Sequence, residues 1–167
     1  KYLNDKLNED IINLDLSVKK EGKYDKNVNI CDINSLNKHI PKNATVINCA
    51  GFIGFKKSDE YKLNKINIEG TKNVLQCCVN RNVKHYVHVS SIACMGFCKK
   101  KQYELTENNF GNYKQISKNY YAFSKYKSDI LVRMYEKKGH NVSIIYPGIL
   151  IGPGNSIFLK TIKKKFP

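Results

Sequence analysis

Apolar positions along the chain fall into short, nearly unbroken runs separated by longer stretches with helical spacing. Residues 11–16, 28–33, 45–51, 86–90 and 142–146 each read as a strand. These runs are mostly apolar throughout, the pattern of strands covered on both faces. Between the third and fourth runs, Ile66, Gly70, Val74, Cys77 and Cys78 recur at helical intervals over 63–79. A second helical pattern spans 120–138 and is closed by Gly139, a residue that readily takes the backbone turn ending a helix. Ser35 is placed to cap a short helix running to about residue 40. Residues 99–119, polar with scattered aromatics, read as loop, and Pro147-Gly148 followed by Gly152-Pro153-Gly154 stops the last strand. Strands that alternate with helices predict an α/β fold built on a parallel sheet. The chain shows no internal repeat.

The length of 167 residues suits one domain with a core of its own. Lys and Arg together number 29 against 14 acids, a formal charge of +15, yet Arg81 and Arg133 are the only arginines. Recognition of phosphates and bases recruits the planar guanidinium fork. Lysines scattered along the whole chain describe solvated faces, including the Lys163-Lys164-Lys165 end, so nucleic acid is disfavoured as a partner. The six cysteines, Cys31, Cys49, Cys77, Cys78, Cys94 and Cys98, contain no Cys-x-x-Cys pair and mostly lie in apolar runs. They read as reduced thiols of a cytoplasmic or other reducing compartment, and no metal site is expected. No apolar run approaches the length of a membrane span.

The chemistry begins with Tyr121 and Lys125. The spacing Tyr-x-x-x-Lys also occurs at Tyr2/Lys6 and Tyr61/Lys65, so spacing alone selects nothing. Only Tyr121/Lys125 opens a long helical pattern behind a strand that ends in serines, Ser90-Ser91. In that pattern Tyr121, Ile130, Leu131, Met134 and Tyr135 are apolar, and Lys127, Asp129, Arg133 and Lys137 polar. Residues four apart share a helix face, so an ammonium at 125 is expected to favour the phenolate at 121 and lower its pKa toward working pH. A hydroxyl, a phenol and an ammonium around one carbonyl make a proton-transfer site.

Five segments in order resemble the short-chain dehydrogenase/reductase superfamily, in its extended branch of NAD-dependent epimerases, dehydratases and 3β-hydroxysteroid dehydrogenase-like enzymes. They are Cys31-Asp32-Ile33, Asn48-Cys49-Ala50-Gly51, Asn67 through Leu75 (Asn-Ile-Glu-Gly-Thr-Lys-Asn-Val-Leu), Ser90 through Gly96, and Tyr146-Pro147-Gly148 through Gly154. The resemblance implies a Rossmann-like doubly wound parallel sheet. It makes Ser91, Tyr121 and Lys125 the catalytic residues: Tyr121 exchanges a proton with the substrate oxygen, Ser91 positions that oxygen, and Lys125 lowers the Tyr121 pKa and holds the nicotinamide ribose. It further implies cofactor contacts from Asp15, on the adenosine ribose, from Asp32 and Ile33, on the adenine, and from Cys49, Ala50, Gly51, Asn67, Tyr146, Pro147 and Gly148. Asn67 is expected to bend the backbone near Lys125. An acid at Asp15 favours NAD, and Lys19 and Lys20 keep NADP open. The implied substrate is a small-molecule alcohol or ketone, a sterol among them, or a nucleotide sugar, and the implied assembly is a homodimer through helices 63–79 and 120–138.

The departures are specific. No strand followed by three spaced glycines opens the chain, so the first strand and the phosphate-cradling loop are expected to be missing along with most of the C-terminal substrate lobe. On that reading residues 1–155 are a partial dinucleotide-binding domain and 156–167 begin the substrate region. Gly51-Phe52-Ile53-Gly54 imitates the glycine loop but lacks its first glycine. Met95 and Tyr146 stand where Tyr and Arg are usual. Ser91-Ile92-Ala93 disfavours a 4,6-dehydratase, leaving a dehydrogenase ahead of an epimerase. A non-catalytic dinucleotide- or RNA-binding scaffold is the alternative of another class.

Overall fold

The structure is a computed structural model, and it describes residues 10–96, 105–107, 110 and 113–150. Cys98, Tyr2/Lys6, Gly152-Pro153-Gly154, the Lys163–Lys165 run and the whole of 156–167 lie outside these residues. Among the described residues five strands form two parallel sheets. In the first, β1 (Asn13–Asp15) pairs with β2 (Asp25–Asn27). In the second, β4 (His85–Val89) is central, between β3 (Thr45–Asn48) and β5 (Val142–Ile145). Among the described residues the sheets share no strand pairing. This is a Rossmann-like layout with parallel strands joined through helices.

The helical crossovers explain the parallel order, since parallel neighbours cannot be joined by a tight turn. Between β3 and β4 the chain runs through α2 (Glu60–Leu63), a π-helical segment Asn64–Gly70 and α3 (Thr71–Asn80). Between β4 and β5 it runs through α4 (Tyr113–Ile116) and α5 (Tyr120–Glu136). α1 (Ile33–His39) follows β2 and packs on α3, which packs on α5. The core gathers Val28, Leu36, Ile40, Val74, Leu75, Cys77, Cys78, Tyr86, Val132 and Tyr135. Among the described cysteines all are free; Cys77, Cys78 and Cys94 are buried, and Cys49 is exposed.

Several elements differ from the sequence reading. The second strand lies at 25–27 instead of 28–33: Val28 is a buried core residue and Asp32, not Ser35, caps α1 by accepting from the Asn34 and Ser35 amides. The stretch read as loop contains α4. α5 buries Lys125, Ser128, Asp129 and Val132, whereas Ile130 and Met134 are 40% and 54% exposed. The polar groups of the buried face are partnered within the fold, Lys125 by the Val89 carbonyl and Asp129 by Arg133 and Tyr146. The strands are covered unevenly: Tyr86 and His88 are buried on one face of the second sheet, and Ile47 and Ile145 are half exposed on the other. No helix among the described residues is long and apolar enough to cross a membrane.

Candidate active site

β4 delivers the first components. It ends at Val89, and the chain passes through Ser90, whose amide bonds the Ile145 carbonyl at 2.8 Å, into a 3-10 turn, Ile92–Met95. Ser91 caps that turn by accepting from the Ala93 amide at 3.2 Å. Its hydroxyl lies near enough the phenol of Tyr121, on the first turn of α5, to hold that phenol's pKa down. α5 starts there because Asn119 caps it, accepting from the Ala122 amide at 3.0 Å. One turn on, Lys125, only 6% exposed, donates from Nζ to the Val89 carbonyl at 2.9 Å. The strand end and the helix start thus meet at Ser91, Tyr121 and Lys125.

The electrostatics correct one expectation. Burial pushes the Tyr121 phenol above its ordinary pKa, Ser91 pulls it partly back, and Lys125 donates to the Val89 carbonyl. Tyr121 is therefore the neutral, proton-bearing phenol at neutral pH. Lys125 is lowered by burial, with Cys94, Cys49 and Asp129 acting the other way. The Phe55 ring meets Tyr121 edge-on, 5.9 Å between centroids.

Asn67 is the second organising residue. It is 2% exposed in the π-helical segment. Its Oδ1 accepts from the Phe52 amide at 2.7 Å, and its Nδ2 donates to the Phe52 carbonyl at 3.0 Å and to Ser124 Oγ at 2.8 Å. The Thr71 hydroxyl donates to the Asn67 carbonyl at 2.7 Å. A π-helical turn aims a side chain that an α-helix would place elsewhere; here it ties the segment after β3 to α5. A Cβ added at Gly51 would lie 3.6 Å from both Asn67 Oδ1 and Lys125 Nζ. The bare backbone at Gly51 therefore leaves room beside the ammonium for a ligand to approach.

The other expected cofactor residues are spread around this centre. Cys49, Ala50 and Gly51 follow β3 at the same sheet end, exposed. Pro147 accepts from the Ile92 amide at 3.2 Å, and Gly148 faces Ile92. Tyr146 is engaged elsewhere: its hydroxyl donates to Asp129 Oδ2 at 3.1 Å and accepts from Arg133 Nη2 at 2.7 Å. Asp15 ends β1, exposed, its Oδ1 holding the Ser17 amide and hydroxyl at 2.7 and 2.6 Å, which lowers its pKa. Asp32 caps α1, with Ile33 as the first helical residue. These two acids lie outside the Ser91–Tyr121–Lys125 cluster. Tyr61 is 75% exposed and Lys65 pairs with Glu69 at 2.8 Å, so that second Tyr-x-x-x-Lys match is a solvated face. No group of three or more metal-ligating side chains occurs among the described residues.

Sequence reasoning missed two buried polar groups, the Asp129–Arg133–Tyr146 cluster and the Asn48–Tyr86–His88 chain. The second had a visible signal, since Tyr86, His88 and Ser90 alternate on one face of a strand otherwise read as uniformly apolar.

The parallel strands and their helical crossovers define a dinucleotide-binding class of domain. Residues 33–163 match the NAD-binding domain family described as male sterility protein, so the chain belongs to that family within the extended short-chain dehydrogenase/reductase superfamily. An uncharacterized protein, 052L, of Frog virus 3 (isolate Goorha) is 28% identical over 108 residues, 64% of this chain and 30% of the viral protein. The structure of a thiolation-reductase di-domain from an archaeal non-ribosomal peptide synthetase is similar at TM-score 0.68 and 26% identity, over 97% of this chain and 37% of that one. The dTDP-glucose 4,6-dehydratase DesIV of Streptomyces venezuelae, with NAD bound, shares the fold at TM-score 0.74 and 20% identity, over 98% of this chain and 56% of its own. The chain thus spans between about a third and just over half of these relatives.

Proposed function

We propose that the protein to which this chain belongs is an NAD(P)-dependent oxidoreductase acting at the carbonyl or secondary alcohol of a small molecule, with a sterol as one member of that class. The carrying observation is a Tyr121 phenol that burial keeps protonated, standing beside Ser91 at the sheet end where Lys125 bonds the Val89 carbonyl. Ser91 positions the substrate oxygen, Tyr121 gives it a proton, and Lys125 and Asn67 hold the polar wall beside Gly51. The nicotinamide cofactor supplies the hydride when bound. A phenol that stays neutral suits reduction, and the likeness to the archaeal reductase supports that direction. NAD is favoured by Asp15, with NADP open through Lys19 and Lys20. Exposed Val79, Ile130 and Met134 on α3 and α5 support a homodimer.

The test is Tyr121→Phe in the complete protein. Turnover is expected to fall by about a hundredfold or more, while dinucleotide binding followed by calorimetry changes little. Unchanged turnover would remove Tyr121 from the mechanism. An epimerase would use the same three residues and is separated by its cofactor: it retains NAD through the cycle, whereas a dehydrogenase releases NADH. A non-catalytic RNA-binding scaffold predicts thermal stabilisation by RNA and none by NAD or NADP, whereas a dinucleotide-binding scaffold is stabilised by NAD or NADP without turnover.

A further inference from the structure

Residues 51–55, between β3 and α2, lie in neither helix nor strand. Among the described residues, the hydrogen bonds that hold their backbone come from one side chain, Asn67. Its Oδ1 accepts from the Phe52 amide at 2.7 Å. A backbone amide can only donate, so this oxygen is the acceptor end and Nδ2 carries the two protons. One goes to the Phe52 carbonyl at 3.0 Å and the other to Ser124 Oγ at 2.8 Å. With Nδ2 donating to it, the Ser124 hydroxyl gives its single proton to the Tyr121 carbonyl at 2.8 Å. Asn67 and Ser124 are each 2% exposed, so bulk water is no substitute partner. The same segment meets α5 again at Phe55, whose ring lies edge-on to Tyr121 with 5.9 Å between centroids. At its other end, a Cβ added to Gly51 would lie 3.6 Å from Lys125 Nζ.

We propose that Ser124 is a positioning residue for the candidate site: through Asn67 it locks residues 51–55 onto the first turn of α5, and so fixes the spacing between the Gly51 backbone and the Lys125 ammonium. Asn67 alone would tie the segment to the π-helical turn. The bond to Ser124 refers it instead to the helix that carries Tyr121 and Lys125. Without the Ser124 oxygen one buried N–H of Asn67 loses its acceptor, and the spacing is left to the Phe55–Tyr121 contact, with Phe55 66% exposed. Ser128, one turn further along α5, supplies the comparison. It is also buried, and its hydroxyl donates to the Lys125 carbonyl at 2.9 Å, the same bond to the carbonyl three residues back that Ser124 makes. Among the described residues no donor from another element reaches it, so the two serines differ by the Asn67 bond. This role deepens the dinucleotide reading and rests on it, since Gly51 and Lys125 are taken as walls of that site.

Two measurements on the complete protein test it, with Ser124→Ala and Ser128→Ala compared. Amide exchange followed by mass spectrometry, with no cofactor present, reads the peptide that contains Phe52. Its exchange is expected to quicken by about tenfold in Ser124→Ala, the loss of one buried hydrogen bond, and to keep the wild-type rate in Ser128→Ala. Wild-type exchange in Ser124→Ala, or the same quickening in both variants, overturns the clamp whatever the protein catalyses. Calorimetry then reads binding of NAD, or of NADP where wild type prefers it. The dissociation constant is expected to rise by about tenfold in Ser124→Ala and not in Ser128→Ala, with kcat at saturating dinucleotide changed less than its KM. Quickened exchange with unchanged affinity overturns the positioning role, and equal losses of affinity in both variants assign the effect to the helix and overturn it too. If wild type binds neither dinucleotide, the function reading fails and takes the binding role with it, while the exchange result stands by itself. Should Ser124→Ala not fold, Ser124→Cys, which keeps the shape and weakens the acceptor, is expected to show both changes in smaller measure, and wild-type values in it overturn the proposal.

Discussion

On the proposed reading the phenol of Tyr121 changes protonation in a place where burial favours its neutral form. Ser91 is the residue that moderates this, because it is the one influence pulling the phenol back down. Ser91→Ala is therefore expected to raise the Tyr121 pKa further. In the oxidation direction, where the phenolate must accept a proton, activity rises with pH through that pKa, so the rising limb moves to higher pH. In reduction, where the neutral phenol donates, the falling limb moves the same way. A pH–rate profile in both directions checks this. Ser91→Thr, which keeps the hydroxyl, is expected to restore the original limb, and a profile identical to wild type in Ser91→Ala would detach Ser91 from Tyr121.

The elements show why some of this was legible and some was not. A strand ending in serine and a helix opening with Tyr-x-x-x-Lys could be read from spacing, because strand and helix periods decide which side chains meet. The helix read over 63–79 is present, yet its π-helical turn could be anticipated only through the resemblance that singled out Asn67: one extra residue in a turn leaves no mark on an apolar pattern. The face of α5 was misassigned, since Ile130 and Met134 look like core residues and Asp129 does not, while the structure buries Asp129 and exposes the other two. Hydrophobicity fails as a guide where a buried helix face carries polar groups that satisfy each other. The π-helical segment also places Gly70 against the first sheet's connection, where an added Cβ would lie 2.9 Å from Ile30 Cγ2. Gly70→Ala is expected to destabilise the fold by about 1–3 kcal/mol through overpacking, read as a lowered urea midpoint. Ile30→Ala in the same chain should recover part of that loss, and strict additivity of the two changes would refute the contact as its source.

At the scale of the whole molecule, two parallel sheets are held by helices packed on one side, and the buried polar chain of Asn48, Tyr86 and His88 links β3 to β4 beneath the site. That chain makes stability depend on pH in a defined window. In the unfolded chain His88 takes up a proton near pH 6.5, whereas in the folded protein desolvation and the charge of Lys125 hold its pKa at about 3. Between these values the unfolded state binds the extra proton, so stability must fall as pH is lowered from about 6.5 toward 3 and be fully present above 6.5. Each pH unit in that window weakens the fold by at most about 1.4 kcal/mol, which accumulates to a large fraction of the stability of an ordinary domain. His88→Gln removes the titration and retains a neutral polar side chain at the same place. The variant is expected to be less stable than wild type at pH 7, where Tyr86 loses a well-aligned acceptor, and to lose less stability between pH 6.5 and pH 4. Urea midpoints at the two pH values decide the matter: an equal drop in both proteins would mean that His88 titrates normally in the fold and that the buried chain leaves its protonation free.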